Sequence, residues 1–350
     1  MHQKRKSEHI TINLTQDVGF CDVTAGFERY QLPHCALPEI DLANVSTSTH
    51  LLDKPLAMPL VISSMTGGTS EARAINHHLA EAAQLEGVAL GVGSQRAAME
   101  DDTLISTYQV RDVAPDILLL ANLGAIQLNY GYGITECRRA VDMIAADALI
   151  LHLNALQEAI QPEGNTHFDD LLSRIEAICR ALEVPVIVKE VGWGISEHVA
   201  RQLADAGAAA IDVAGAGGTS WSTVEMFRTT SAHGQAVAEA FRSWGIPTAT
   251  SLLVAQRGAP EIPILASGGI RSGIDIAKAI ALGAKACGIA GPFLRAAASS
   301  TAAVVELIHT LRDQMRIAMF CAGTADISQL QALELQAAAT HSPHPLRIDP

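Results

Sequence analysis

Eight short apolar runs recur along the chain, and each is closed by glycine or polar residues. The runs lack the period-two alternation of half-exposed strands and cover residues 59–68, 87–96, 116–125, 147–154, 184–194, 208–218, 262–270 and 285–293. Continuous runs rich in Val, Ile, Leu and Ala are typical of parallel strands that are buried on both faces. The pattern therefore predicts eight parallel strands.

Stretches with helical character separate these runs. The segment 196–207, SEHVARQLADAG, begins with a serine suited to a helix cap and ends in glycine, and 273–284 is similar. Eight strand–helix units predict an α/β fold of the (β/α)8 TIM-barrel type. A doubly wound open sheet is the alternative. That fold usually has fewer strands and a glycine-rich first turn, whereas the glycine-rich turns here belong to late units.

Two segments depart from the repeating unit. A long insertion, about residues 219–250, follows strand six, and the first 55 residues contain no strong periodic element. Long loops after barrel strands lie over the active-site mouth. We find no linker, so we expect one domain, with an N-terminal extension over 1–55, a barrel over 56–300 and C-terminal helices over 300–350.

Composition narrows the class of protein. The chain has 350 residues, 49% of them hydrophobic, and a net charge of −13, so a broad nucleic-acid-binding face is not expected and an anionic ligand needs a local site. The polar N-terminus and the short apolar runs predict neither a signal peptide nor a membrane span. The six cysteines lack C-x-x-C and zinc-type spacing, which indicates reduced thiols in a cytoplasmic protein.

Polar and small residues cluster where the predicted strands end, which is the face where catalytic groups meet in a barrel. One such cluster is common, but eight on one face predict an active site. The candidates are Ser64, Met65, Thr66, Ser94, Arg96, Asn122, His152, Asn154, Gln157, Glu158, Lys189, Thr219, Gly268, Gly269, Ala290 and Gly291.

Three of these clusters suit particular ligands. The turns 266–273 and 288–293 are rich in glycine, so their backbone N–H groups could hold a phosphate, or the glycines could simply allow tight turns. Lys189 could be a cation beside a reduced flavin, a Schiff-base lysine, or the ion-pair partner of Glu190 or another carboxylate. Glu158 could bind Mg2+ together with a diphosphate, or complement a helix dipole.

Taken together, the motifs resemble the type 2 isopentenyl-diphosphate isomerases, a family of FMN-dependent (β/α)8 enzymes. The resemblance covers nearly the whole chain and rests on KRKSEHI, ISSMTGG, GVGSQR, ANLGA, LHLNALQE, VIVKEVGWGIS, IDVAGAGGTSW, WGIPT, ASGGIRSG and IAGPF. It implies the reversible conversion of isopentenyl diphosphate to dimethylallyl diphosphate, by proton addition and removal with reduced FMN and Mg2+. NADPH would serve only to reduce the flavin.

The resemblance also implies a role for each candidate residue. FMN would contact Ser64, Met65, Thr66, Ser94, Asn122, Lys189 and Thr219, with its phosphate at Gly268, Gly269, Ala290 and Gly291. Arg5 and Lys6 would hold the substrate diphosphate, with His9 and Arg96 nearby, so that the N-terminal segment caps the mouth. Gln157 would contact the substrate, His152 and Asn154 are further catalytic candidates, and Glu158 would bind Mg2+. A homo-oligomer, a tetramer or an octamer, is expected.

Three other functions fit parts of the pattern. An oxidase of the 2-hydroxy-acid type needs a His base and an Arg in a late loop, but the loop 215–221, GAGGTSW, has neither. A nucleotide dehydrogenase of the inosinate type needs a cysteine nucleophile there, which is also absent. A flavin-binding protein without catalysis would have no use for LHLNALQE or for the basic N-terminus.

Overall fold

The centre of the molecule is a closed barrel of eight parallel strands. The computed structural model describes residues 2–338, with side chains from Arg5 onwards. Its strands are β1 (Tyr30–Gln31), β2 (Thr49–Leu51), β3 (Lys54–Leu56), β4 (Leu60–Ile62), β5 (Ala89–Gly91), β6 (Leu119–Gly124), β7 (Ala148–Leu153), β8 (Val186–Glu190), β9 (Ala210–Asp212), β10 (Ile264–Ser267), β11 (Ala286–Ile289) and β12 (Gln336–Ala337). Strands β4 to β11 pair in chain order and β11 closes on β4, which confirms the predicted TIM barrel.

Helices surround the barrel. They are α1 (His2–Thr15), α2 (Ser70–Glu86), α3 (Arg96–Glu100), α4 (Ile134–Ile144), α5 (Ala155–Ile160), α6 (Leu171–Ala181), α7 (Glu197–Asp205), α8 (Trp221–Arg228), α9 (Ala232–Glu239), α10 (Thr248–Gly258), α11 (Gly273–Ala281), α12 (Gly291–Ala297), α13 (Thr301–Cys321) and α14 (Ile327–Gln331). Short 3-10 helices cover Phe27–Arg29, Leu42–Asn44, Asp102–Thr107 and Ala125–Tyr130. The unit after β5 departs from the predicted repeat, because the five-residue α3 and a 3-10 helix replace a full crossover helix.

Each barrel strand is apolar on both faces, which explains the missing alternation in the sequence. Within β4, Leu60 and Ile62 face the surrounding helices, while Val61 belongs to a separate cluster inside the barrel. In β6, Leu119 and Leu120 divide in the same way. Because both faces are buried, the sequence shows a continuous apolar run rather than a period of two.

The N-terminal extension reaches both ends of the barrel. The hairpin of β2 and β3 places Leu51 and Leu56 in the interior cluster, and Lys54 pairs with Asp147 at 2.8 Å, just before β7 begins. This hairpin therefore closes the end of the barrel opposite the carboxyl ends of the strands. Only the first part of the 1–55 segment reaches the mouth, so the expected cap is shorter than the extension.

Helix α1 crosses the mouth and packs against α8 and α12. Phe20 N donates to Gly218 O at 3.2 Å and Ser220 N donates to Val18 O at 2.8 Å, so the next residues pair with the loop after β9. The sequence shows no strong periodicity here because much of this helix faces a polar cavity. Ile10, with 4% of its surface exposed, is its buried apolar contact.

The remaining segments agree in part with the predictions. The insertion after β9 forms α8 and α9 and leads into α10. The C-terminal region is helical through α14, but β12 then pairs with β1 in an antiparallel arrangement; residues 339–350 lie outside the described residues. No helix within 2–338 is both long and apolar enough to cross a membrane. All six cysteines are free thiols.

Candidate active site

A cavity of about 490 Å3 opens at the carboxyl end of the barrel, beneath α1. Except for Arg96, every candidate residue lines it: Arg5, Lys6, His9, Ser64, Met65, Thr66, Ser94, Asn122, His152, Asn154, Gln157, Glu158, Lys189, Thr219, Gly268, Gly269, Ala290 and Gly291. The volume is within the range of small-molecule and cofactor sites. The structure therefore brings together residues that lie up to 286 positions apart in the chain, from Arg5 to Gly291.

The floor of the cavity continues the inward-facing register of the barrel strands. Ile150 and Ile187 belong to the interior apolar cluster, and two residues further along their strands come His152 and Lys189. Side chains two apart on a strand share a face, so the apolar layer passes directly into a polar one. The barrel thus places these groups at the base of the cavity.

Lys189 is held at a fixed place in this floor. Its Nζ donates to the Glu190 backbone oxygen at 2.7 Å and lies 3.7 Å from Asp212 Oδ2. The Glu190 carboxylate instead accepts from the backbone N–H groups of Val191, at 2.8 Å, and Gly192, at 2.7 Å. The ion-pair partner of Lys189 is therefore Asp212, a carboxylate that the sequence interpretation did not name, and not Glu190.

His152 is a neutral imidazole at pH 7. Burial, and secondarily the positive charge of Lys189, lower the pKa of His152 to about 4. Its Nδ1 lies 2.9 Å from Asn122 Oδ1; because an amide oxygen only accepts hydrogen bonds, Nδ1–H is the donor and Nε2 is left as the acceptor nitrogen. Asn122 itself is fixed, because Gln95 Oε1 accepts its backbone N–H at 2.9 Å.

Glu158 lies at the centre of a buried polar cluster on one side of the cavity. It has 6% of its surface exposed, although it is a carboxylate in the first turn of α5. Asn154 Nδ2 donates to Oε1 at 3.0 Å, Gln161 Nε2 donates to Oε2 at 2.6 Å, and the Asn165 backbone N–H also donates to Oε2. Asn154 Nδ2 additionally lies 3.2 Å from Gln157 Oε1. This arrangement presents carboxylate and amide oxygens to a cavity that also contains cationic side chains.

The side chain of Lys6 extends from α1 into the cavity. Its Nζ donates to the Ser94 backbone oxygen at 2.8 Å and to the Tyr108 hydroxyl, which itself donates to Ser94 O at 2.8 Å. Burial, reinforced by the charge of Arg5, lowers the pKa of Lys6 to about 7. A lysine whose proton is this weakly held can change its charge when an anion binds nearby.

His9 anchors α1 to the insertion. Its Nε2 lies 3.0 Å from Glu225 Oε1, and its ring meets Trp221 edge-on at 5.1 Å. Glu225 also accepts from Arg228 Nε at 2.6 Å, and Arg228 pairs with Glu163 at 2.8 Å. Burial opposes the charge on Glu225, but hydrogen bonds from His9 and Arg228 outweigh it and lower the pKa of that carboxyl. The network joins α1, α8 and the loop after α5.

Arg96 does not line the cavity. Its guanidinium donates to Glu100 at 3.0 Å and to Asn165 Oδ1 at 2.9 Å. Since Asn165 N holds Glu158, Arg96 supports the wall of the site from behind in this structure. The substrate role of Arg96 implied by the resemblance stays a prediction.

The glycine-rich turn after β10 packs directly against the glycine-rich loop after β9. At Gly268, with φ +101°, an added Cβ would lie 2.1 Å from Gly215 O, and at Gly218 it would lie 2.5 Å from Gly269 N. Thr248 Oγ1 donates to Gly268 O at 2.6 Å and holds the turn. Tight packing therefore accounts for these glycines in part, while both turns still face the cavity.

Two buried hydroxyl groups that follow β4 have no partner among the described residues. Ser63 Oγ and Ser64 Oγ are buried at the end of β4, and both residues line the cavity. An added Cβ at Gly91 would lie 2.5 Å from Ser64 Oγ, and one at Gly288 would lie 2.5 Å from Ser63 Oγ. Buried hydroxyls are normally hydrogen-bonded, so this wall is suited to a polar ligand.

Sequence reasoning missed several residues of the site. Asp212 carried a usable signal, because it is the only acidic residue in the apolar run 208–218. No sequence signal marked the other three, Tyr108, Gln161 and Glu225, because each lies in a loop or helix whose position depends on the folded chain. Tyr108 is completely buried and is 102 positions from Lys6.

The comparisons agree with the architecture. Solved structures of mandelate oxidase share the fold: one, with 3,3-difluoro-2-hydroxy-3-phenylpropionic acid, has a TM-score of 0.62 at 21% identity, covering 94% of this chain and 94% of that one. Another, of a mutant with a monooxide FMN adduct, has a TM-score of 0.61 at 21% identity, covering 94% and 92%. The family model "FMN-dependent dehydrogenase" matches residues 139–337, so fold and site define a barrel protein of this class.

Closer relatives narrow the assignment. An isopentenyl-diphosphate delta-isomerase of Synechocystis sp. is 55% identical over 331 residues, covering 95% of each chain. One of Stutzerimonas stutzeri is 53% identical over 334 residues, covering 95% of this chain and 96% of the relative. The chain belongs to the isopentenyl-diphosphate delta-isomerase family, which confirms the resemblance identified from its motifs.

Proposed function

We propose that this chain converts isopentenyl diphosphate to dimethylallyl diphosphate with bound FMN and Mg2+. One observation carries the proposal: α1 places Arg5 and Lys6 in the cavity that also contains Glu158. Cations and a carboxylate around one cavity suit a diphosphate that arrives with a divalent metal, because arginine and lysine bind phosphate oxygens and Mg2+ takes one or two carboxylates plus phosphate.

The floor and the β4 wall fit FMN. The unpartnered Ser63 and Ser64 hydroxyls offer polar contacts, and the lack of a Cβ at Gly91 and Gly288 leaves room for these hydroxyls. Lys189, held beside Asp212, would supply a fixed cation to a reduced, anionic ring. When bound in its reduced state, FMN supplies the proton donor and acceptor for the double-bond shift. NADPH would reduce it before the first turnover.

The chain's own residues bind and orient the substrate. Asn154 donates to Gln157 Oε1, which leaves the Gln157 NH2 group free to donate into the cavity. Gln157 has no useful pKa, so it orients the substrate or relays a proton. His152 is neutral at pH 7 and therefore serves as a hydrogen-bond acceptor rather than an acid. The diphosphate lies against Arg5 and Lys6, and α1 excludes water from the reacting carbons.

The experiment uses purified protein, anaerobically, with FMN, Mg2+ and isopentenyl diphosphate in D2O. We expect deuterium-labelled dimethylallyl product only in the sample reduced with NADPH, with no NADPH consumed per turnover. Steady NADPH consumption without isomer would instead indicate an oxidoreductase. The loop 215–221 contains neither the His nor the Arg that a hydroxy-acid oxidase needs, so that outcome is not expected.

Glu158→Gln tests the metal role. The substitution keeps the side-chain shape but removes the charge. We expect turnover to be abolished while FMN binding is retained, as measured by product formation and flavin absorbance on the same samples. Activity that survives the substitution would show that the metal role is wrong.

A further inference from the structure

Two buried amide oxygens next to Glu158 have no hydrogen-bond partner within the part of the chain that the structure describes. They are Asn154 Oδ1 and Gln161 Oε1, and each residue has only 4% of its surface exposed. Both residues also line the cavity. A buried carbonyl oxygen without a partner is unfavourable, so a ligand or bound water is expected at this position.

The direction of these oxygens follows from the chemistry of the carboxylate. An ionised carboxylate only accepts hydrogen bonds, so Asn154 and Gln161 must turn their NH2 groups toward Glu158. Each carbonyl oxygen then points away from the carboxylate. The cluster consequently exposes oxygens in more than one direction around Glu158.

The backbone holds Gln161 firmly in this place. Its N–H donates to Gln157 O at 3.0 Å and closes the last turn of α5. The chain then folds back so tightly that a Cβ on Gly164 would lie 1.7 Å from Glu158 O. This fold-back brings Asn165 N onto Glu158 Oε2, beside Gln161 Nε2.

We propose that Gln161 is a positioning residue for the divalent cation. Its Nε2–H fixes Glu158 Oε2, and its Oε1 accepts a hydrogen bond from a water molecule coordinated to the cation. Mg2+ keeps several waters when it binds through one carboxylate and phosphate oxygens, and groups that hold those waters and ligands tune its affinity. The inference rests on the proposed function, because it assigns a further residue to the same metal site.

The test is Gln161→Met, which keeps the length of the side chain but removes its hydrogen bonds. Binding of Mn2+ to the FMN-loaded protein is measured by electron paramagnetic resonance in the presence of inorganic pyrophosphate, and Mg2+ is titrated by calorimetry. We expect cation affinity to fall about 10- to 100-fold with FMN binding and melting temperature retained. Gln161→Asn, which keeps the amide but cannot reach as far, gives a second variant.

A matched control is available on α2. Gln84 also donates to a carboxylate, Asp116 Oδ2, at 3.0 Å, but it lies outside the cavity. Gln84→Met should leave cation affinity unchanged. Unchanged affinity in Gln161→Met would overturn the proposal. Loss of flavin and of thermal stability in both Gln161 variants would also overturn it, since Gln161 would then be structural. If the wild-type protein binds no cation with pyrophosphate, the metal role in the proposed function fails instead.

Discussion

Lys6 should take up a proton when a diphosphate binds. In the free protein its pKa is about 7, lowered by burial and by the charge of Arg5, and its only described hydrogen-bond partners are the neutral Ser94 O and Tyr108 hydroxyl. At pH 8 about one tenth of these lysines are protonated, whereas at pH 6 about nine tenths are. A bound diphosphate favours the charged form and raises the pKa toward the usual value. Binding should therefore take up about 0.9 proton at pH 8 and about 0.1 at pH 6.

The assay is calorimetric titration of FMN-loaded protein with isopentenyl diphosphate at both pH values, in buffers of different ionisation enthalpy. The variant Lys6→Arg supplies the comparison, because a guanidinium stays charged throughout this range. Protonation of the ligand itself is common to both proteins and cancels in the difference. Equal proton uptake by wild type and Lys6→Arg at pH 8 would refute the reasoning, as would uptake that decreases with pH.

Three further substitutions follow from the contacts. Gly67→Ala places a Cβ 1.9 Å from the buried Tyr108 ring, so we expect a loss of about 1–3 kcal/mol in thermal unfolding; an unchanged melting temperature would contradict this packing. Glu225→Gln removes the charge that holds His9, so kcat/KM should fall about tenfold or more, equal to about 1.4 kcal/mol, with FMN retained in the absorbance spectrum. Asp212→Asn removes the negative charge beside Lys189, so potentiometry should show a flavin reduction potential raised by on the order of 30 mV. A lowered potential would contradict the role of Lys189 as the cation beside the flavin.

Much of the barrel could be predicted from local patterns. Strands buried on both faces must be apolar throughout, and that requirement marked all eight of them. The alternation of side chains along a strand is equally local. Once Ile150 and Ile187 are taken as inward-facing, His152 and Lys189 must point inward as well. The strand sequences therefore predict which residues form the floor of the cavity.

The helix that covers the cavity and the loops at its sides could not be predicted from local patterns. Helix α1 lacks an apolar stripe because it covers a polar cavity, and its contact from His9 to Glu225 spans 216 positions. The separation of Arg96 from the cavity and the fold-back that brings Asn165 N to Glu158 depend on the tertiary positions of the loops.

By itself, the sequence determined the positions of the eight strands, the burial of both their faces and the polar residues at their ends, because these features depend on short local stretches of the chain. The tertiary structure alone decided which of those residues share hydrogen bonds and which buried groups have a shifted pKa. Such contacts join groups far apart in the chain, and desolvation depends on everything packed around a group rather than on its neighbours in sequence.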